Sequence, residues 1–144
     1  MPMHVRILLE VTADAGTPGV VEEVAAFEKK TEQAEDLGLS IAEAKSLLEA
    51  VQTRTVTAQV ADWSEGHRRC EACGQSRRIK GSNPIVFRTL YGDITLRSPR
   101  LHRCSCQESH GPLTVSPLHE LIPDHVAPEP LYLEGRWGSL APYT

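Results

Sequence analysis

The chain is 144 residues long, with 40% hydrophobic and 24% charged residues and a formal net charge of −4. That composition excludes a collagen-like, low-complexity or wholly disordered chain. The length suits one ordinary domain, or a helical piece plus a small metal-stapled one. No stretch approaches the ~20 apolar residues of a membrane-spanning helix, and the opening MPMHVRILLE lacks the basic segment and apolar core of a secretion signal. A cytoplasmic location is expected, with no membrane partner and no small-molecule substrate.

Charge is placed unevenly along the chain. Residues 1–65 carry five Lys or Arg against twelve Asp or Glu, residues 66–103 carry nine against two, and residues 104–144 carry one against five. A compact basic island keeps a local field that attracts phosphate despite its acidic flanks.

In chain order, Val5, Ile7, Leu9 and Val11 alternate with His4, Arg6, Leu8 and Glu10, the pattern of a strand with one buried face. Asp14, Gly16 and Gly19 interrupt it. Thr17 as cap, Pro18 at the first helical position and Glu22 and Glu23 in the early turns predict a helix over 18–37. Its apolar stripe is Val20, Val24, Phe27, Thr31, Ala34 and Leu37, and Gly38 is placed to end it.

Ser40 followed by Glu43 forms a capping box that opens a second helix, reaching towards Trp63. Ile41, Ala44, Leu48, Val51, Thr55 and Ala58 keep a heptad-like spacing along it. An intramolecular helical hairpin is the first expectation. A homodimer through residues 40–63 is the alternative.

The apolar run Pro84–Leu90, then Tyr91-Gly92-Asp93, then Ile94–Arg97 predicts a β-hairpin with a Gly-containing turn. Gly81-Ser82-Asn83-Pro84 reads as another turn, with Ser76–Lys80 as a third strand before it. Six of the ten prolines fall after Gly111, so an irregular tail is expected. Leu131, Leu133, Trp137 and Leu140 have helical spacing, but Gly135 and Gly138 weaken it.

Four cysteines carry the chemistry. Cys70-Glu71-Ala72-Cys73-Gly74 is a Cys-x-x-Cys turn that presents two thiolates to one ion, with Gly74 suited to its tight exit. Cys104-Ser105-Cys106 follows after a gap that a hairpin can close. Residues two apart in a strand lie ~6.6 Å from each other, so the chain must bend at Ser105 for both sulfurs to reach one zinc. His102 or His110 is the alternative to one of these cysteines. Reducing conditions favour a structural zinc over two disulfides, with oxidised or free thiols as the competing reading.

Arg68, Arg69, Arg77, Arg78, Lys80, Arg88, Arg97, Arg100 and Arg103 surround the motif. The planar guanidinium suits phosphate oxygens and guanine edges, and Arg77, Arg78, Lys80, Arg88, Arg97, Arg100 and Arg103 are the candidate nucleic-acid contacts. Docking of this patch on the acidic residues 1–65, or on a partner protein, fits the charge equally well. Catalytic signatures are missed: His119-Glu120 is not followed by a histidine in the fifth position, and no Gly-x-Ser-x-Gly elbow occurs.

The string from Lys80 to Leu90, then Gly92-Asp93, then Leu96 to Cys106 resembles the amino-terminal region of ISKra-type bacterial insertion-sequence transposases. So do Leu39–Lys45, Ser116-Pro117-Leu118 and Pro128–Trp137, and the resemblance runs from about His4 to Leu140. It implies a zinc ribbon with Cys70, Cys73, Cys104 and Cys106 as ligands, arginines that contact DNA, and a DDE-type catalytic domain beyond residue 144. A truncated copy without catalytic residues of its own is therefore expected. A zinc-ribbon interaction adaptor and a non-functional remnant are the alternatives.

The elements sum to an α+β chain. Residues 1–65 form an acidic strand plus helical hairpin, residues 66–110 a basic zinc-ribbon-like antiparallel module, and residues 111–144 a Pro-rich tail.

Overall fold

The computed structural model describes residues 2–13, 18–30, 33–106 and 113–140. Asp14, Gly16, Thr17, Thr31 and His110 lie outside the described residues. The chain is α+β and divides into two compact units, Met1–Ala58 and Gln59–Thr144.

In the first unit, β1 (Met3–Val11) half-buries Val5, Ile7, Leu9 and Val11 and exposes the residues between them, as the alternation predicts. The expected helix over 18–37 is not formed. Residues Val20–Lys29 are instead a strand, β2, antiparallel to β1 from Met3↔Lys29 to Val11↔Val20.

The register shifts between Ile7 and Leu8, where Val24 is the extra residue of a bulge. The bulge moves the inward phase, so Val24, Ala25 and Phe27 are all half-buried. Val24 and Phe27 thereby keep the three-residue spacing of a helical stripe, although Val20 is exposed, and a segment rich in β-branched valine favours the strand. Glu22 and Glu23, which suit a helix start, pair instead with Arg54 at 3.1 Å and with Arg6.

Gly19 is required by this pairing. A Cβ there would sit 2.6 Å from Thr12 Cγ2 and from the Val11 carbonyl oxygen. A short 3-10 turn, Ala34–Asp36, and Gly38 at φ 71° then lead to α1 (Ile41–Gly66).

The capping box holds. Ser40 Oγ accepts from the Glu43 N–H at 3.2 Å, and Glu43 accepts from the Ser40 N–H at 2.7 Å. The heptad-like stripe is only partly covered: Ile41 is 90% exposed and Leu48 42%, whereas Val56 and Val60 are the buried residues of this helix.

The second unit contains the end of α1, β3 (Ile79–Thr89), β4 (Gly92–His102), β5 (Thr114–Val115), and the helices α2 (Leu118–Leu121) and α3 (Pro128–Leu140). The sheet order is β3-β4-β5, antiparallel throughout. Leu90-Tyr91 makes the hairpin turn, and Gly92 at φ 126° restarts the ladder opposite Thr89.

Two strand expectations change. Gly81–Pro84 lies inside β3 rather than in a turn, because a bulge between Ile79 and Gly81 absorbs Lys80. The third strand is then β5, after the hairpin, not Ser76–Lys80.

The outer edge of β3 is covered in part by residues 125–127. Arg88 N–H donates to the His125 carbonyl at 2.9 Å, and Ala127 N–H to the Arg88 carbonyl at 2.8 Å. Ile94, Leu96, Leu101, Leu118 and Ala127 are buried, with Ser98 Oγ 2.6 Å from Ser116 Oγ as the polar contact among them.

Within its described residues, 113–140, the tail forms β5, α2 and α3 and so is not the irregular segment expected. Pro128 and Pro130 fall in the first turn of α3, where a missing N–H breaks no helical bond, and the helix tolerates Gly135 and Gly138. Among the described residues, no helix is long and apolar enough to cross a membrane.

Candidate metal centre

The paired strands bring the two cysteine segments together. The register Ile79↔Leu101 is extended one step by the His102 N–H, which donates to the Arg78 carbonyl at 2.8 Å. Upstream, Arg69 and Ser76 form an isolated antiparallel bridge, and the Arg77 N–H donates to the Arg68 carbonyl at 2.7 Å. Between those rungs Cys70 donates to the Gln75 carbonyl at 2.9 Å, and Gly74 donates to the Cys70 carbonyl at 2.7 Å. Gly74 leaves the turn at φ 73°, the left-handed conformation that a Cβ disfavours.

Cys104 and Cys106 follow directly after β4, with a turn at Ser105-Cys106. This is the bend that the short spacing demands. The four sulfurs of Cys70, Cys73, Cys104 and Cys106 all lie within 4.8 Å of one another. The separations are 3.5 Å for Cys70–Cys106 and 3.4 Å for Cys73–Cys104. Four thiolates on zinc at ~2.3 Å would be separated by about 3.8 Å along each tetrahedral edge, so the donor set fits such an ion.

Local electrostatics also fit a cation. The Cys73 and Ala72 N–H groups face the Cys70 sulfur and hold its pKa at about 6, below its ordinary 9.0. The Cys106 N–H lowers Cys104 in the same way. The Gln75 N–H pulls Cys73 down, but the neighbouring Cys104 and Cys70 sulfurs, with burial, outweigh it and raise the thiol. Crowding by Cys73, Cys104 and Cys70 pushes Cys106 up to about 12. All four sulfurs can be negative in so small a volume only with a positive ion among them, and backbone N–H groups directed at sulfur are the usual outer partners of such a site.

The ligand alternatives resolve differently. His102 is exposed on β4 and outside the sulfur cluster, whereas His110 is not among the described residues. His119 is exposed, and His125 occupies a turn at φ 56°. Neither belongs to a metal-holding group.

The candidate nucleic-acid contacts do not share one surface. Arg88 and Arg97, paired with Asp93 and Pro84, lie on the exposed face of the hairpin. Arg100, opposite Gly81, lies on the face of buried Ser98, and its Nε is shielded from solvent. Arg78 and Lys80 are exposed beside the bulge, Arg77 is half-buried, and Arg103 is half-buried with its N–H on the Leu113 carbonyl.

Sequence reading did not single out Arg69 as a contact. The Arg69–Ser76 bridge folds the knuckle back on itself, and Arg69 and Arg77 line one cleft. In comparisons with known proteins, no family model, no curated protein and no solved structure matches the chain.

Proposed function

We propose that this chain is a zinc-binding, non-catalytic region of an insertion-sequence transposase that contacts DNA or assembles the protein on it. The observation that carries the zinc reading is the convergence of four cysteine sulfurs within 4.8 Å from two segments far apart in sequence. Four thiolates leave a zinc no open position, so the ion staples the ends of the β3–β4 hairpin rather than activating water.

Support for the DNA contact is the setting of that staple, a segment with nine Lys or Arg against two Asp or Glu, together with the family resemblance. Guanidinium groups on a rigid metal-stapled sheet suit backbone phosphates.

Native mass spectrometry of the freshly reduced protein should show one zinc per chain, lost with the fold on chelation. Zinc-loaded protein should then bind duplex DNA with a steep salt dependence, since about six phosphate contacts lose ~10³-fold in affinity between 50 and 200 mM salt. Absence of zinc, or salt-insensitive binding, overturns the respective half of the proposal.

One observation favours a second reading, a zinc-ribbon adaptor that dimerises through residues 40–63: Ile41 and Leu48 of the apolar stripe are exposed. A monomer mass in the same spectrum rejects it.

A further inference from the structure

Beside the knuckle, the second unit holds a cleft of about 310 Å³. His67, in the turn just after α1, forms part of its wall, with Arg69, Glu71 and Arg77 from the knuckle and His119 and Glu120 from α2. The cleft is braced before any ligand arrives. Trp63 and His67 stack at 4.0 Å, Trp63 Nε1 donates to the Pro117 carbonyl at 3.2 Å, and His67 Nδ1 lies 2.7 Å from the Trp63 carbonyl oxygen.

Its two guanidinium groups are uncommitted. Arg6, Arg54 and Arg68 each pair with a carboxylate, but Arg69 and Arg77 form no ion pair among the described residues. Arg77 Nε is shielded from solvent and meets no acceptor there. Two planar forks in one preformed cleft suit a ligand with several acceptor oxygens on one centre. Glu71 and Glu120 oppose an anion, but both are exposed, as is Arg69, so water screens all three, whereas Arg77 is half-buried. A phosphate tethered in a chain that other basic residues also hold overcomes that repulsion better than a free ion does.

We propose that this cleft seats one backbone phosphate of a nucleic acid between Arg69 and Arg77. The inference rests on the DNA-binding reading above and adds to it the place where the backbone is gripped.

The test is equilibrium binding of the full zinc-loaded chain to a labelled random-sequence duplex across a salt series. Arg69→Gln/Arg77→Gln should weaken binding roughly tenfold and reduce the salt slope by about one to two. Glu120→Gln should tighten it. Where Arg77→Gln impairs folding, as judged by zinc content, Arg69→Gln alone decides, with a slope about one unit shallower. Unchanged affinity and slope in a zinc-replete Arg69 variant overturn the cleft assignment and leave the DNA reading standing. Wild-type protein that binds no DNA overturns both.

Discussion

The sulfur of Cys70 lies 3.5 Å from that of Cys106, and the Cys73 sulfur lies 3.4 Å from that of Cys104. Each short contact crosses between the two halves of the motif and joins a buried cysteine to an exposed one. Exposure is therefore a poor guide to a cysteine's weight here. Cys106→Ser is expected to cost more zinc affinity than the roughly 100-fold typical of losing an outer partner, and about as much as Cys70→Ser. Competition with a chromophoric chelator measures both. Wild-type affinity in the Cys106 variant would remove it from the ligand set.

Gly74 offers a test of the turn alone. An added Cβ would meet nothing within 4 Å, so Gly74→Ala is penalised only through its φ of 73°. That conformation costs an L-residue about 1–2 kcal/mol, which predicts a five- to thirty-fold loss of zinc affinity. The same competition assay reads it. No loss would mean that the turn relaxes to a negative φ once metal binds.

Glu43 accepts from Lys29 Nζ at 2.7 and 2.6 Å and from the Ser40 N–H at 2.7 Å. Lys29 and the Ser40 N–H, in that order, hold its carboxyl at about 2, below its ordinary 4.5. Because the folded value is the lower one, its contribution to stability is fully present above about 4.5 and is lost as pH falls towards 2. Glu43→Gln should lower the thermal midpoint at neutral pH, and the gap from wild type should close over that acid range. Melting curves of the two proteins across pH test this; a gap that stays constant means that charge is not what the pair contributes.

Leu101 has no exposed surface and sits in the central strand, paired to Ile79 on one side and Val115 on the other. Leu101→Ala should destabilise the zinc-loaded protein by about 2–5 kcal/mol in denaturant unfolding. A loss below that range would show that the neighbouring strands collapse into the space.

Much of the chain was legible because its signals are local. Ser40 and Glu43 are three residues apart and meet within one turn, so α1 begins where the capping box places it. The alternation of β1 and the turn that opens onto Gly92 are equally short-range. For the cysteines, spacing named four candidate ligands, with His102 or His110 as an alternative to one, and required a bend at Ser105. The missed elements depend on distant partners. Val24 and Phe27 fit a helical stripe as well as the inner face of a bulged strand, and the choice rests on β1 offering a ladder to Val11, with Gly19 leaving room for the return.

Residue types and spacing were thus enough for the α+β class, the long capped helix, the hairpin and the four candidate ligands, since each follows from contacts a few residues long or from the chemistry of sulfur. Long-range pairing determined that Val20–Lys29 is a strand, that β5 rather than Ser76–Lys80 is the third strand of the sheet, and that Arg69 and Arg77 line one cleft while Arg100 lies on the face of Ser98. Backbone hydrogen bonds between distant segments set which face a residue occupies, and one bulged residue reverses that choice without leaving a distinctive mark in the sequence.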